Sequence, residues 1–338
     1  MAVDWNPLKQ IIAENDRFVI SSHRKPDADA LGSGLALANM LEALGKTVMV
    51  VNPTASPKNL HFLDPTGRAK KFNVGVKEAA VLDNDVHIVV DTSAWDQLMS
   101  LGSVLRKTKA TKVVIDHHVS SDDLGATEFK DTSADATGTM LFRMAEALDL
   151  TISKDTADAL FCAIATDTGW FRFPSITSDT MRIAGKLMDY GVVPHELYAK
   201  LYEQGSTARL HLNAKVLARV RTQCDGRLAF TTVEFKDFKA TGASPVDTEG
   251  LVNKCLTIAG TEAAFIAVEQ QNGAVKISFR SRPGVDVSVL AEKFNGGGHR
   301  QASGATMKGP LRVATSQVLS GFRELLGCEP AAEKTDAE

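Results

Sequence analysis

The chain has 338 residues, of which 44% are hydrophobic and 23% are charged, and its formal net charge is only −3. These values are ordinary for a globular protein, and the length predicts about two domains. A net charge this small argues against a strongly basic surface for long nucleic acid, so any nucleic-acid partner is expected to be short or held locally.

Neither a secretory leader nor a membrane span is indicated, because the first residues lack an apolar core and no apolar run approaches the ~18 residues of a span. The four cysteines lie far apart and form no CxxC pair. We therefore expect neither a zinc ribbon nor a disulfide framework. These features favour a cytoplasmic protein with no membrane partner.

The first half of the chain alternates short β-branched segments with longer helical patterns. A helical pattern at 28–45 has apolar residues three and four positions apart and ends at Gly45. Such alternation predicts an α/β domain, with a mostly parallel sheet and helices on both faces. The predicted strands are 18–22, 47–52, 86–91 and 111–116.

Helical patterns dominate from about residue 153 to 223, after which strands return. The chain beyond residue 224 predicts strands at 226–234, 262–270 and 274–282, and helices at 287–295 and 311–326. We interpret this part as a smaller α+β domain joined to the first by a helical connector. The predicted boundaries are 1–190 for the first domain, 191–222 for a helical connector, 223–328 for the second domain and 329–338 for a flexible tail.

Acidic and imidazole side chains follow three of the predicted strands. The segments are "HRKPDAD" (23–29), "DTS" (91–93) and "DHH" (116–118), and Asp167 ends a helical pattern. A single Asp in such a place is more often a cap or a turn former, and Asp29 could cap a helix that starts near Ala30. In open α/β sheets, however, ligand sites lie outside the carboxyl ends of the strands. Four such clusters at one edge therefore indicate a common site.

Crowded carboxylates require a counter-charge. Two of them in close contact repel by about 4 kcal/mol at an effective dielectric constant near 20. Divalent cations convert that repulsion into ligation, and a carboxylate such as Asp91 can bridge two of them. Oxygen and imidazole ligands suit Mn²⁺ best, with Mg²⁺, Co²⁺ and Fe²⁺ as alternatives. A two-metal centre of this kind activates water for in-line displacement at phosphorus.

The ordered segments "HRKPDADALGS", "DTS", "DHH" and "DTGWFRF" resemble the four motifs of the DHH phosphoesterase superfamily. The segment "FNGGGHRQASG" (294–304) resembles the glycine-rich signature of the DHH-associated C-terminal domain. These motifs extend over most of the chain, from about 18 to 325. Within the superfamily, the chain is similar in length to the oligoribonucleases of the NrnA type.

This resemblance implies a function and a set of site residues. The expected enzyme uses two divalent cations to degrade short RNA oligonucleotides to 5'-mononucleotides. The sequence leaves open whether it also acts as a 3'-phosphoadenosine 5'-phosphate phosphatase. Three roles are implied besides metal binding: Asp91 and His118 are catalytic, His118 also contacts the scissile phosphate, and Asp116 supports a neighbouring imidazole. The implied metal ligands are His23, Asp27 and Asp91 for one ion, and Asp29, Asp91, His117 and Asp167 for the other.

The second domain is expected to bind substrate phosphate. Arg280 and Arg282 are two residues apart in a predicted strand, which places their side chains on one face. The glycines of the GGGH segment allow a close approach of the backbone to an anion, and His299 can donate to phosphate. The substrate residues predicted here are Arg280, Arg282, Gly297, Gly298 and His299.

Two residues depart from the family pattern: Thr139 stands where relatives often carry an acid, and Ser121 where many carry Asn. Alternative functions are a manganese inorganic pyrophosphatase, a RecJ-like exonuclease, a phosphodiesterase for cyclic or linear dinucleotides, and a nucleotide-binding sensor without turnover. The GGGH segment argues against the pyrophosphatase, and the complete set of expected ligands argues against the sensor. A homodimer is one of the assemblies that the sequence leaves open.

Overall fold

The computed structural model describes residues 3–328 and divides the chain into two compact units, Met1–Gln204 and Gly205–Glu338. The tail predicted at 329–338 lies outside the described residues. None of the helices within residues 3–328 is long and apolar enough to cross a membrane.

The first unit, unit 1, contains a six-stranded parallel sheet. Its strands are β1 (Arg17–Ser21), β2 (Thr47–Asn52), β3 (Lys70–Lys71), β4 (Val86–Val90), β5 (Thr111–Asp116) and β6 (Thr127–Lys130). They lie in the order β3-β2-β1-β4-β5-β6, and each neighbouring pair is parallel. All four predicted strands are present. The two edge strands β3 and β6 are short and partly polar, and their sequences carry little strand signal.

Helices cover both faces of this sheet, as the sequence predicts. They are α1 (Asn6–Glu14), α2 (Ala28–Ala43), α3 (Glu78–Leu82), α4 (Trp95–Lys107), α5 (Thr137–Leu148), α6 (Lys154–Asp167), α7 (Ser178–Asp189) and α8 (Pro194–Tyr202), with a short 3-10 helix at Lys58–Leu60. Ile88 and Val90 of β4 belong to the core formed with α2, α5 and α6, whereas Val89 packs with Leu98 of α4. A strand buried on both faces is apolar throughout, which explains the unbroken apolar run of β4.

The second unit, unit 2, contains a mixed six-stranded sheet. Its strands are β7 (Arg221–Gln223), β8 (Leu228–Val233), β9 (Ala263–Glu269), β10 (Val275–Ser281), β11 (Gly297–His299) and β12 (Ala302–Met307). Their order is β11-β12-β10-β9-β8-β7, and every neighbouring pair is antiparallel except β8 and β9. The three predicted strands are present, and β7, β11 and β12 add to them.

The helices of unit 2 are α9 (Thr207–Leu217), α10 (Phe235–Thr241), α11 (Leu251–Cys255), α12 (Ser288–Lys293) and α13 (Leu311–Leu326), with a 3-10 helix at Pro245–Thr248. Residues of α12 and α13 pack on one sheet face, and residues of α9, α10 and α11 pack on the other. The helices α8 and α9, both within the predicted connector, belong to different units.

The glycines of the GGGH segment allow β11 to lie close against β12. A Cβ atom at Gly296 would lie 2.1 Å from the carbonyl oxygen of Gly304, and one at Gly298 would lie 2.6 Å from that of Ala302. Gly298 also has a φ of +140°. These two glycines are therefore required by strand packing, whereas a Cβ at Gly297 would meet open space.

Cys224 and Cys328 form a disulfide in unit 2, with Cα atoms 5.4 Å apart. The sequence predicts no disulfide framework, and this single disulfide is a feature that the cysteine spacing does not indicate. The two residues are 104 positions apart, and they meet only because α13 packs on the sheet near the end of β7. Cys162 and Cys255 are buried free thiols.

Candidate metal centre

Three neighbouring parallel strands bring the acidic and imidazole residues to one edge of the unit 1 sheet. β1, β4 and β5 are adjacent; β1 and β4 end just before His23 and Asp91, and β5 ends at Asp116. Asp167 ends α6, which packs against α2. This geometry explains how segments more than 140 residues apart contribute to one site.

A first group of potential ligands consists of His23, Asp27 and Asp91. The Nε2 atom of His23 lies 3.3 Å from Asp91 Oδ2 and 3.8 Å from Asp27 Oδ1. Asp27 is the N-cap of α2 and accepts a hydrogen bond from the amide of Ala30 at 3.0 Å. The cap of this helix is therefore Asp27 and not Asp29, which corrects the alternative role considered for Asp29.

A second group consists of Asp29, His117 and Asp167. The Nε2 atom of His117 lies 3.9 Å from Asp29 Oδ2, 3.4 Å from Asp167 Oδ2 and 3.6 Å from Asp91 Oδ1. Asp91 is thus within reach of both groups. It has a φ of +62°, in a region that non-glycine residues rarely occupy, and such backbone conformations concentrate at functional sites.

The hydrogen bonds of the two imidazoles direct the same ring nitrogen toward the carboxylates. His23 Nδ1 lies 2.8 Å from the carbonyl oxygen of Arg24, and His117 Nδ1 lies 3.1 Å from that of Ala134. A carbonyl accepts only from a protonated nitrogen, so Nδ1 carries the proton and Nε2 is the potential ligand in each neutral ring. The donor set and its orientation have the chemistry of a divalent-metal centre.

Thr137 connects the two buried carboxylates and is a site residue that the sequence analysis missed. Its amide donates to Asp29 Oδ2 at 2.8 Å, and its hydroxyl donates to Asp91 Oδ1 at 2.9 Å. The amide of Gly138 also donates to Asp29, at 2.9 Å. The Asp29 carboxylate therefore accepts hydrogen bonds from amides at the start of α5 that have no partner within the helix, and this is a favourable position for an anion. In the sequence, the only sign of this role for Thr137 is that it forms a Thr-Gly pair at the start of a helix.

The electrostatics of the site favour positive charge, supplied by a proton or by a cation. Burial raises the pKa of Asp91 well above its usual range, and the charge of Asp29 raises it further. Burial likewise raises the pKa of Asp29, and burial with the charge of Asp29 raises the pKa of Asp167 to about 7. Burial lowers the pKa of His23, but Asp27 and Asp91 more than offset this and raise it to about 11. Positive charge is therefore favoured at this sheet edge.

Asp116 and His118 form a hydrogen-bonded pair, and His118 also forms a third group of potential ligands with Asp91 and His117. His118 Nδ1 lies 2.8 Å from Asp116 Oδ1, and the backbone amide of His118 donates to the same oxygen at 3.1 Å. Asp116 is fully buried, whereas the side chain of His118 is half-exposed. The hydrogen bond to Asp116 raises the pKa of His118 to about 9. Its Nε2 atom remains available to a ligand.

The two departures from the family pattern have different surroundings. Thr139 is buried and its hydroxyl donates to the carboxylate of Asp135, which also accepts from the hydroxyl of Thr180. Ser121 is exposed. Neither residue belongs to a group of potential metal ligands.

In unit 2, Arg280 and His299 share one face of the sheet. Ala302 is paired with Arg280 on β10 and with His299 on β11. Residues directly opposite each other in an antiparallel sheet point to the same face. A cavity of about 660 Å³ is lined in part by His299, Arg300 and Ala302. Arg280 and His299 thus lie on either side of Ala302, and His299 borders the cavity.

Arg282 has a different environment from the one the sequence predicts. It follows the last residue of β10, and its guanidinium donates to the carbonyl oxygens of Thr261 at 2.9 Å and Leu256 at 2.7 Å. These bonds join β10 to the segment after α11. They occupy two of the donor nitrogens of Arg282, whose predicted role in phosphate binding stays a prediction.

Family models match most of both units. The model of the DHH family, N-terminal domain, matches residues 17–164, and the model of the DHHA1 domain matches residues 225–323. The chain belongs to the DHH family. The predicted family, the α/β class with a second mixed-sheet unit, and a hydrolase acting on phosphoester bonds are thereby confirmed.

Curated relatives cover nearly the whole chain. A bifunctional oligoribonuclease and PAP phosphatase NrnA of Thermus thermophilus is 30% identical, over 91% of this chain and 89% of that protein. The protein of the same name from Bacillus subtilis is 28% identical, over 89% and 92% respectively. A solved structure of an exopolyphosphatase-related protein from Bacteroides fragilis has a TM-score of 0.85 at 26% identity, over 95% and 97% of the two chains.

Proposed function

We propose that this DHH-family enzyme hydrolyses short oligoribonucleotides to 5'-mononucleotides and also removes the 3'-phosphate of 3'-phosphoadenosine 5'-phosphate. The names of the relatives that match nearly the whole chain support this substrate class. The cytoplasm is the proposed location, and a homodimer is the proposed assembly.

We further propose that unit 1 holds two divalent cations, most favourably Mn²⁺. His23, Asp27 and Asp91 would hold one ion, and Asp29, Asp91, His117 and Asp167 the other. The observation that carries this proposal is that Asp91 lies within reach of both ligand groups, with one oxygen toward His23 and the other toward His117. When bound, such cations activate water and stabilise charge on the oxygens around phosphorus.

The protein residues around the centre position the substrate and move protons. His118 presents Nε2 to the scissile phosphate or to the leaving oxygen, because its other nitrogen is held by Asp116. An imidazolium in that position can donate a hydrogen bond to an oxygen that gains negative charge in the transition state. Thr137 holds Asp29 and Asp91 in place, so the ligand groups keep their geometry before the cations bind.

Unit 2 is proposed to bind the nucleotide phosphate through Arg280 and His299. Their shared sheet face and the cavity at His299 support this role. The open space at Gly297 allows an anion to approach the backbone of β11, whereas β12 fills the space where a side chain at Gly298 would lie. Arg282 is not part of this proposal.

A substrate panel tests the proposed function. Purified protein with Mn²⁺ is incubated with a 5'-phosphorylated diribonucleotide, a longer RNA, 3'-phosphoadenosine 5'-phosphate, a cyclic dinucleotide and pyrophosphate. We expect the highest kcat/KM with the diribonucleotide and measurable phosphate release from the adenosine bisphosphate. Fast hydrolysis of pyrophosphate with no cleavage of the diribonucleotide would overturn the proposal.

A further inference from the structure

Lys130 forms a chain of hydrogen bonds that ends at His118. It is the last residue of β6 and pairs in register with Asp116, the last residue of β5. Its Nζ atom donates to the hydroxyl of Ser93 at 2.9 Å and to the carbonyl oxygen of Ser120 at 3.0 Å. The side chain is only 17% exposed, and Nζ lies 3.5 Å from Asp116 Oδ2.

Ser93 continues this chain to the carboxylate. Its hydroxyl donates to Asp116 Oδ2 at 2.7 Å, and Ser93 and Asp116 are both buried. The opposite oxygen, Oδ1, accepts from the amide and the ring nitrogen of His118. The Asp116 carboxylate is thus held on one oxygen by Ser93 and Lys130, and uses the other to hold His118.

The ammonium group of Lys130 affects which acceptor the Ser93 hydroxyl uses. The single proton of the Ser93 hydroxyl has two acceptors within reach, Asp116 Oδ2 at 2.7 Å and the carbonyl oxygen of Ser120 at 3.1 Å. Lys130 donates to that same carbonyl and to the Ser93 oxygen. It therefore competes for the alternative acceptor and leaves the serine proton to Asp116. The ammonium also offsets the cost of burying the Asp116 charge.

We propose that Lys130, acting through Ser93 and Asp116, is a positioning residue that fixes the orientation of His118 toward the substrate. This inference rests on the proposed role of His118 at the phosphate. Residues that orient a functional imidazole from behind typically change activity by about 10- to 100-fold when removed. Lys130 is in none of the groups of potential metal ligands, so its effect should be separable from metal binding.

The test compares Lys130→Met, which removes the charge and keeps most of the stem, with Lys130→Arg and Ser93→Ala. Lys107→Met is the matched control, because Lys107 pairs with Glu78 at 3.0 Å on the surface and is 61% exposed. We measure kcat and KM on the diribonucleotide at saturating Mn²⁺, the Mn²⁺ affinity, and the Nδ1–H resonance of His118 in metal-free protein by NMR.

We expect Lys130→Met and Ser93→Ala to lower kcat by about 10- to 100-fold, with KM and Mn²⁺ affinity within about threefold of wild type. The His118 resonance should move or broaden, Lys130→Arg should recover part of the activity, and Lys107→Met should match wild type. An unchanged kcat and an unchanged His118 resonance in Lys130→Met would overturn the inference, as would a loss confined to Mn²⁺ affinity.

Two further outcomes are decided by the same design. If Lys130→Met does not fold, the test uses Ser93→Ala, which changes no charge. Its kcat, Mn²⁺ affinity and His118 resonance then support or overturn the inference in the same way. If the wild type does not cleave the diribonucleotide, the proposed function fails, and the NMR comparison alone decides whether Lys130 orients His118.

Discussion

The Asp29 carboxylate accepts hydrogen bonds from two backbone amides at the start of α5, that of Thr137 at 2.8 Å and that of Gly138 at 2.9 Å. Thr137 also donates its hydroxyl to Asp91. One residue thus aligns the buried carboxylates of both proposed ligand groups. Removing that hydroxyl in Thr137→Val keeps the amide bond to Asp29 and leaves one Asp91 oxygen without its donor. We expect Mn²⁺ affinity to fall by about 10-fold, measured by calorimetric titration. Equal affinity of Thr137→Val and wild type would contradict this role.

The stability of the metal-free protein should depend on pH through Asp167. The pKa of this group is about 7 in the folded protein and about 3.9 in an unfolded chain, so the folded state binds the proton more tightly. Its contribution to stability is present at low pH and is lost as pH rises from about 4 to 7. Between pH 5 and 8, Tm should therefore fall more steeply in metal-free wild type than in Asp167→Asn. Parallel Tm profiles of the two proteins would contradict the raised pKa.

Arg280 and Arg282 should have separable effects although they are two residues apart. Arg280→Ala should raise KM for the diribonucleotide by about 10-fold with little change in Tm, because a phosphate contact is lost. Arg282→Ala should instead lower the free energy of unfolding by about 1–3 kcal/mol, because the carbonyls of Thr261 and Leu256 lose charged donors. Steady-state kinetics and denaturant titration distinguish the two, and a KM effect confined to Arg282→Ala would reverse our assignment.

The glycines of β11 provide a matched pair of substitutions. Gly298→Ala should lower the free energy of unfolding by about 2–4 kcal/mol, because its φ of +140° is unfavourable and the new Cβ would meet Ala302. Gly297→Ala should change stability by less than about 1 kcal/mol, because open space surrounds that position. Urea titration of both variants checks this, and equal effects would show that strand packing does not explain the glycines.

The disulfide should contribute to the stability of unit 2 when it is formed. It closes a segment of 104 residues, for which loop entropy predicts a stabilisation of about 4–5 kcal/mol. Alkylation of unfolded, non-reduced protein should therefore label two thiols, Cys162 and Cys255, and reduction should lower Tm. Labelling of all four cysteines before reduction would contradict the disulfide.

The proposed metal ligands could be predicted from the sequence because each follows a recognisable strand or helix. His23, Asp91 and His117 come directly after β-branched runs, and parallel strands end at one edge of a sheet. The family resemblance then indicated which of the neighbouring polar residues are ligands. The same logic could not assign the N-cap of α2, because Asp27 and Asp29 are two residues apart and both lie at the start of an apolar helical pattern.

The supporting residues could not be predicted, because their roles depend on contacts between distant segments. Lys130 ends a short edge strand with a polar sequence, and only its register with Asp116 places it beside Ser93. Arg282 has the local pattern of a phosphate-binding arginine, but the carbonyls that it binds come from the segment after α11. The disulfide likewise depends on how α13 packs, which no cysteine spacing indicates.

The central claim, that Asp91 joins two ligand groups in a phosphodiesterase centre, is tested most directly by diribonucleotide hydrolysis in Asp91→Asn. This change keeps the side-chain size and the hydrogen bond from Thr137 but removes the shared negative charge. With Mn²⁺, wild type should release 5'-mononucleotides, and Asp91→Asn should lose at least about 1000-fold in kcat while its Tm without metal is unchanged or higher. Mononucleotide release by Asp91→Asn at a rate near that of wild type would contradict the account.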